Sequence, residues 1–384
     1  MLKALDEQGE AITLFQLPRR SIDLLRSTLF FCPVCEQPLV IKAGSTMVPH
    51  FAHRRGAFCT ESLGGEGPYH EQGKIQLYQW LKKQGYSVEL EVYLPQLQQR
   101  TDLLLTLNGR RIAIEYQCCR ISPEIMLART KGYKNAGITP LWILGGNRLK
   151  PKGENAISLS SFENLFFHQF QSSDSPAVFF YCSQQQTFAT FQHPYYYGKQ
   201  KAVGSLRYFP MKHCSLPQLL QSVQPPSSPF LHSFWLRQKK QFRGKPHTIF
   251  KRSPSYSFYQ FLYLRGYHAS FLPSLVYVPV YGLLDGNEAP YSWQGKWIVE
   301  TVIPMSIMGT ITIESHTIST SPLLMEEGRR SNIAQYAHVL TKLGVLRKVS
   351  HNVFQKCKDI SIPKTIEEGL KEDEIVLQKL FREQ

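Results

Sequence analysis

At 384 residues the chain is long enough for two or three domains with sizeable cores. Its hydrophobic fraction of 42% is that of a globular protein; no run approaches the ~20 apolar residues of a membrane span, and no signal-peptide pattern opens it. The net charge of +15 points to a polyanionic partner, while eight scattered cysteines exclude a disulfide framework and imply a reducing cytoplasm.

Residues 1–62 read as a zinc module. Cys32 and Cys35 are followed by His50-Phe51-Ala52-His53, in the spacing C-x2-C-x14-H-x2-H. Two paired thiolates and two paired imidazoles complete one tetrahedral, closed zinc site, so Cys32, Cys35, His50 and His53 are the expected ligands. Cys59 is the reserve if one histidine is not a ligand. A structural zinc leaves no open position for catalysis.

Residues 63–150 predict the order α-β-β-β-α-β. After the glycine-rich entry at Gly64-Gly65-Glu66-Gly67, a helix runs from His70 to Lys83, with His70 and Lys74 on one face. Val88, Leu90, Val92 and Leu94 alternate with polar residues, which predicts a strand with one buried face. Asn108-Gly109 is a strong hairpin signal. If those two residues form the turn, Leu107 pairs with Arg110, Asp102 falls opposite Glu115, and Arg100 falls opposite Gln117. Directly opposed like charges are destabilising unless a cation lies between them, and hard cations take oxygen ligands. Asp102 and Glu115 are therefore candidate Mg²⁺ or Mn²⁺ ligands. Ser122-Pro123 starts a second helix, ended by Gly137, and Ile138–Leu144 is a buried-type strand. The adjacent Cys118 and Cys119 read as small packing residues, and Tyr133 as core.

These features together resemble a known family. The Cys32/Cys35 and His50/His53 pairs, His70-x3-Lys74, Arg100-Thr101-Asp102, Glu115-Tyr116-Gln117-Cys118 and Arg129-Thr130-x2-Tyr133 resemble the CoiA-like competence proteins. Their central domain is similar to the PD-(D/E)xK, restriction-endonuclease-like nucleases. The resemblance covers residues 1 to about 150. It implies metal-dependent hydrolysis of DNA during uptake and recombination in natural competence, with Asp102 and Glu115 holding the catalytic metal. Gln117 stands where the superfamily usually has lysine, and it can position water only by hydrogen bonding. Lys74 can replace the missing ammonium, His70 joins the site, and Glu66, rather than Glu71, is the expected helix acid.

Residues 151–384 form a basic, aromatic-rich, largely helical region, with a hinge at Pro225-Pro226-Ser227-Ser228-Pro229 and a hairpin tip at Gln184-Gln185-Gln186. Between Asp174 and Asp285 there is no acidic residue and there are twelve Lys/Arg. Arg237, Lys239, Lys240, Arg243, Lys245, Lys251 and Arg252 form its densest group. With Arg100, they are the expected DNA contacts, since cations pair with phosphates and rings stack on unpaired bases. Helices are expected over Phe234–Phe242, Tyr256–Leu264, Ile333–Leu343 and Ile366–Phe381, and a turn between Trp293 and Trp297. No P-loop and no G-x-S-x-G occurs, which leaves no support for an ATPase or serine hydrolase. The fold class is thus a multidomain α/β (α+β) protein with divisions near 62 and 150. Its expected partners are single-stranded or branched DNA and recombination proteins. The rival to a nuclease is a protein that holds DNA without cutting it, favoured by Gln117; RNA is the third possible substrate.

Overall fold

The computed structural model describes residues 1–44, 48–54, 56, 59, 67–170, 175–245, 255–283, 288–313, 321–324 and 331–382. Three expected site residues, Glu66, Lys251 and Arg252, lie outside them. Among the described residues the strands form three sheets.

The N-terminal module contains β1 (Lys3–Leu5), β2 (Ala11–Thr13), α1 (Arg19–Leu24), β3 (Phe30–Phe31), β4 (Pro38–Lys42) and β5 (His50–His53). Its sheet has the order β2-β1-β3-β4-β5. Ala4, Leu14, Ile22, Phe30, Leu39 and Phe51 form a small core of their own. A core this small is marginal, and a metal clip is the usual supplement.

The central region follows the expected order: α2 (Pro68–Lys83), β6 (Ser87–Leu94), β7 (Gln99–Leu107), β8 (Arg110–Gln117), α3 (Pro123–Asn135) and β9 (Thr139–Gly145). Asn108 and Gly109 have φ of 49° and 75°. Positive φ at both positions is the turn that matches strand twist. The register runs as expected from Leu107–Arg110 to Leu103–Ile114. The regular ladder then ends one step short of Asp102 and Glu115, because the Tyr116 N–H donates to the Asp102 carboxylate at 2.9 Å.

Strand β6 does not keep one buried face. Val88 and Leu90 pack with Leu77 and Leu81 of α2, whereas Val92 and Leu94 pack with Tyr133 and Ile138. The switch occurs at Glu91, which has φ of 47°. A left-handed residue in a strand reverses the alternation, so Glu91 turns inward instead of outward.

The sheet runs on past residue 150, so a division there cuts a continuous structure. β10 (Pro151–Gly153), β11 (Ala156–Ser158), α4 (Ser161–Asn164), β12 (Ala177–Cys182), β13 (Thr187–Gly198) and β14 (Lys201–Pro210) follow, then α5 (Leu216–Leu220). The nine-stranded order is β10-β11-β14-β13-β12-β9-β8-β7-β6. β8, β9 and β12 are mutually parallel neighbours. The β12–β13 hairpin closes with Cys182 opposite Thr187, which places Gln184-Gln185-Gln186 at its tip. α2 and α5 cover one face, while α3 and α4 pack on the other.

The remainder is largely helical: α6 (Ser228–Gly244), α7 (Tyr256–Leu264), α8 (Pro290–Trp297), β15 (Thr310–Thr312), α9 (Asn332–Lys342), β16 (Leu346–Lys348), β17 (Val353–Lys356) and α10 (Ile366–Phe381). Ser227 in the proline-rich stretch caps α6 by accepting from the Phe230 N–H. Trp293 and Trp297 lie on α8 and do not flank a turn.

Candidate active site and metal cluster

The approach of α2 to β8 depends on one glycine. A Cβ at Gly73 would stand 2.1 Å from the Tyr116 ring, so only glycine lets the helix settle there. His70 stacks on the same ring, with centroids 5.5 Å apart and planes 10° apart. Tyr116 is fixed in turn by donating to the Tyr181 carbonyl at 2.9 Å.

This packing brings a charged group together under α2. His70 Nε2 lies 3.4 Å from Asp102 Oδ2, and Lys74 Nζ lies 3.6 Å from Asp102 Oδ1. Lys74 is fully buried and also donates to Glu91 at 2.5 Å. Glu91, 1% exposed, accepts from the Leu2 and Lys3 N–H groups at 2.7 and 3.1 Å. Arg100 approaches the same carboxylate at 3.9 Å. Arg100 is therefore buried beside Glu91, not displayed for DNA, because the turned Glu91 draws its guanidinium inward.

Glu115 is held from α3. It accepts from Arg129 at 2.7 Å and from the Tyr133 hydroxyl. Arg129 and Tyr133 are four residues apart, so they share a helix face, and Arg129 also donates to the Arg100 carbonyl at 2.7 Å. Burial pushes the Glu115 carboxyl up to about 7. Arg129 opposes that rise and the Asp102 charge adds to it, with the Tyr133 hydrogen bond a lesser opposing influence. Two carboxylates close enough to repel one another, each with a cation beside it, form a donor set suited to a hard divalent ion. Among the described residues they do not converge with a third ligand as tightly as the cysteine group described below.

Other expected residues are arranged differently. Gln117 sits at the end of β8 and donates to the Cys119 carbonyl at 2.8 Å. Glu71 is buried and faces the N-terminal module, with His50 Nδ1 3.3 Å from its Oε2. Cys118 is buried and its thiol is pushed up to about 12 by burial, which removes it as a nucleophile. Cys119 is exposed rather than packed. Glu91, Arg129 and Tyr133 are the site residues that sequence reasoning did not assign. The i,i+4 pair on α3 was a readable signal for two of them.

The metal cluster is Cys3His rather than Cys2His2. Ligand atoms of Cys32, Cys35, His53 and Cys59 all lie within 4.8 Å of one another, and Cys35 Sγ is 3.3 Å from His53 Nε2. A tetrahedron with ~2.3 Å Zn–S bonds has edges of about 3.8 Å, so this group can hold a metal such as zinc. His50 does not belong to the set, contrary to the expected Cys2His2 ligands. Residues three apart on a strand point to opposite faces, so His53 faces the thiols while His50 faces Glu71 and the Val48 carbonyl.

The basic segment also divides. Leu231, Trp235, Lys239 and Arg243 form one i+4 row of α6, and all four are buried. Lys239 and Arg243 grip Asp373 of α10 at 2.8 and 2.6 Å, so neither can contact DNA. They also donate to four backbone carbonyls, those of Ser270, Leu272, Ser274 and Val276. Arg237, Lys240 and Lys245 are exposed. Among the described residues no helix is long and apolar enough to cross a membrane.

A mixed α/β fold with a large sheet, an acid on each of two neighbouring strands and a cysteine cluster ahead of it defines a nuclease-like class of protein. The chain belongs to the competence protein CoiA family. It matches the models "Competence protein CoiA, N-terminal domain" over residues 14–62, "nuclease-like domain" over 66–224 and "C-terminal domain" over 230–370. It is 30% identical to competence protein CoiA of Bacillus subtilis (strain 168) over 341 residues, 86% of this chain and 90% of that protein. No solved structure matches.

Proposed function

We propose that the chain is a Mg²⁺- or Mn²⁺-dependent DNA nuclease that acts on DNA during uptake and recombination in competence. The observation that carries this reading is the buried pair Asp102 and Glu115, each with a cationic partner, with the Asp102 charge adding to the rise of the Glu115 carboxyl. These two carboxylates would hold the ion, which when bound supplies Lewis-acid stabilisation of phosphoryl charge and a more acidic water.

The chain's own residues have separate roles. Arg129 and Tyr133 hold Glu115 in place and oppose the rise in its pKa, so that it ionises near neutral pH. Lys74 and His70 fix the Asp102 carboxylate from α2, and Glu91 holds Lys74 in turn. Gln117 lies at the carboxyl end of β8, where its amide can orient a water or a phosphate oxygen by hydrogen bonding. Arg237, Lys240 and Lys245 offer exposed charge to the DNA backbone. The Cys3His group serves as a structural zinc site. The protein acts in the cytoplasm, with recombination proteins as its partners.

A second reading, a protein that holds single-stranded or branched DNA without cutting it, is favoured by Gln117 in place of lysine and by the engagement of its amide with Cys119. Cleavage of single-stranded, duplex and branched DNA with Mg²⁺ or Mn²⁺ separates the two. The nuclease reading expects cutting that disappears in Asp102→Ala and Glu115→Ala while DNA binding survives. Tight binding with no metal-dependent cutting by the wild type selects the second.

A further inference from the structure

A cavity of about 240 Å³ opens beside the site. It lies at the carboxyl ends of the parallel strands β9 and β12, where open α/β sheets take their ligands. Gly146 and Asn147 follow β9, and Gln184 and Gln185 follow β12. The register builds its floor: Phe180, Ala189 and Tyr208 are direct cross-strand partners on β12, β13 and β14. Residues in one such row point to the same face, so a methyl group sits between two rings. Tyr208 is 52% exposed, so its ring is open to a guest. A Cβ on Gly146 would stand 2.6 Å from Cys182 Cβ, so glycine is what allows this wall to close.

The lining carries no charged residue, but offers amides at Asn147, Gln184 and Gln185. Asn147 Nδ2 is anchored on the Cys118 carbonyl at 3.2 Å. Rings, a small floor and neutral amides suit a flat, uncharged, hydrogen-bonding guest rather than a phosphate. The volume lies below the roughly 300–1,000 Å³ of drug-sized pockets and is enough for one base. The cavity also shares a wall with the site. Tyr69 lines it and stacks on Tyr116 at 6.5 Å, while His70, the next residue, stacks on the same ring and faces Asp102.

We propose that this cavity receives one unpaired base of the strand whose phosphate lies at Asp102 and Glu115, which makes single-stranded DNA the substrate. The proposal rests on the nuclease reading for its phosphate position, but not for the cavity itself.

The test uses the full chain without added divalent ions. The probe is a single-stranded oligodeoxynucleotide carrying 2-aminopurine at successive positions, with its duplex as control. The wild type should quench 2-aminopurine at one position. Tyr208→Ala should abolish that quench and weaken single-strand binding about tenfold, within the range for loss of one stacking ring. Tyr208→Phe should keep both, and Ala189→Phe, which fills the slot, should behave like Tyr208→Ala with its folding checked by thermal melting. Duplex affinity should be the same in all forms. Equal single-strand affinity and quench in wild type, Tyr208→Ala and a folded Ala189→Phe would overturn the proposal. Quenching that responds to these variants in a protein that never cuts DNA would uphold the cavity and remove the nuclease. Cutting lost in Asp102→Ala, with no effect of the cavity variants on binding, would do the reverse.

Discussion

Two groups of buried charge can be compared within this chain. Under α6, Asp373 meets two cations, and these cations also donate to four backbone carbonyls. Burial alone would raise the Asp373 carboxyl, but Lys239 and Arg243 outweigh it and hold it below its ordinary value. Under α2 and α3, the acids are not so fully compensated, and Glu115 is pushed up to about 7. The acids of both groups are buried. The first has the balance of a structural network; the second carries the perturbed acid expected of the proposed nuclease site.

The largest expected effect breaks the structural group. Asp373→Ala strands two buried cations and should cost about 3–5 kcal/mol in urea unfolding. A loss under 1 kcal/mol would show that the cluster is not the clamp between α6 and α10. Gly73→Ala comes next, since a methyl 2.1 Å from the Tyr116 ring must displace α2. It should cost about 1–3 kcal/mol and lower cleavage more than Ala substitution elsewhere on the helix.

The pH dependence of the two groups should have opposite signs. Glu115 has a raised pKa, so the folded state binds its proton more tightly, and stability falls as pH rises from 4.5 to about 7. Asp373 has a lowered pKa, so its contribution is present above its ordinary value of 3.8 and lost as pH falls through the folded value. Urea titrations of Glu115→Gln and Asp373→Asn across pH 3–8 should remove one slope each. Tyr133→Phe, the gentlest change, removes a hydrogen bond that lowers the Glu115 pKa and should shift the rise of cleavage with pH upward. In the N-terminal module, Cys59→Ser should lose bound zinc by elemental analysis, while His50→Gln should keep it.

Much of this was readable from local pattern. The Asn108-Gly109 turn, the register down to Leu103–Ile114, the Ser122 cap and α10 over Ile366–Phe381 all follow from short-range chemistry. What was missed depends on contacts or conformations that no periodicity encodes. Glu91 is placed inward by a left-handed backbone that a non-glycine residue does not advertise. Lys239 and Arg243 looked like DNA contacts because their partner Asp373 is more than a hundred residues away in sequence. The sheet beyond β9 depends on a parallel pairing with β12 across a long connection. His50 and His53 had the right chemistry, but strand alternation sends them to opposite faces.

The most direct test of the central claim is a calorimetric titration of zinc-loaded protein with Mn²⁺ at pH 7, in two buffers of different ionisation enthalpy. If Asp102 and Glu115 form the divalent site, binding should release a fraction of a proton per ion, because the raised Glu115 pKa leaves that carboxyl partly protonated there. Asp102→Asn and Glu115→Gln should both lose that binding. Mn²⁺ binding that is unchanged in both variants, or undetectable in the wild type, would contradict the account.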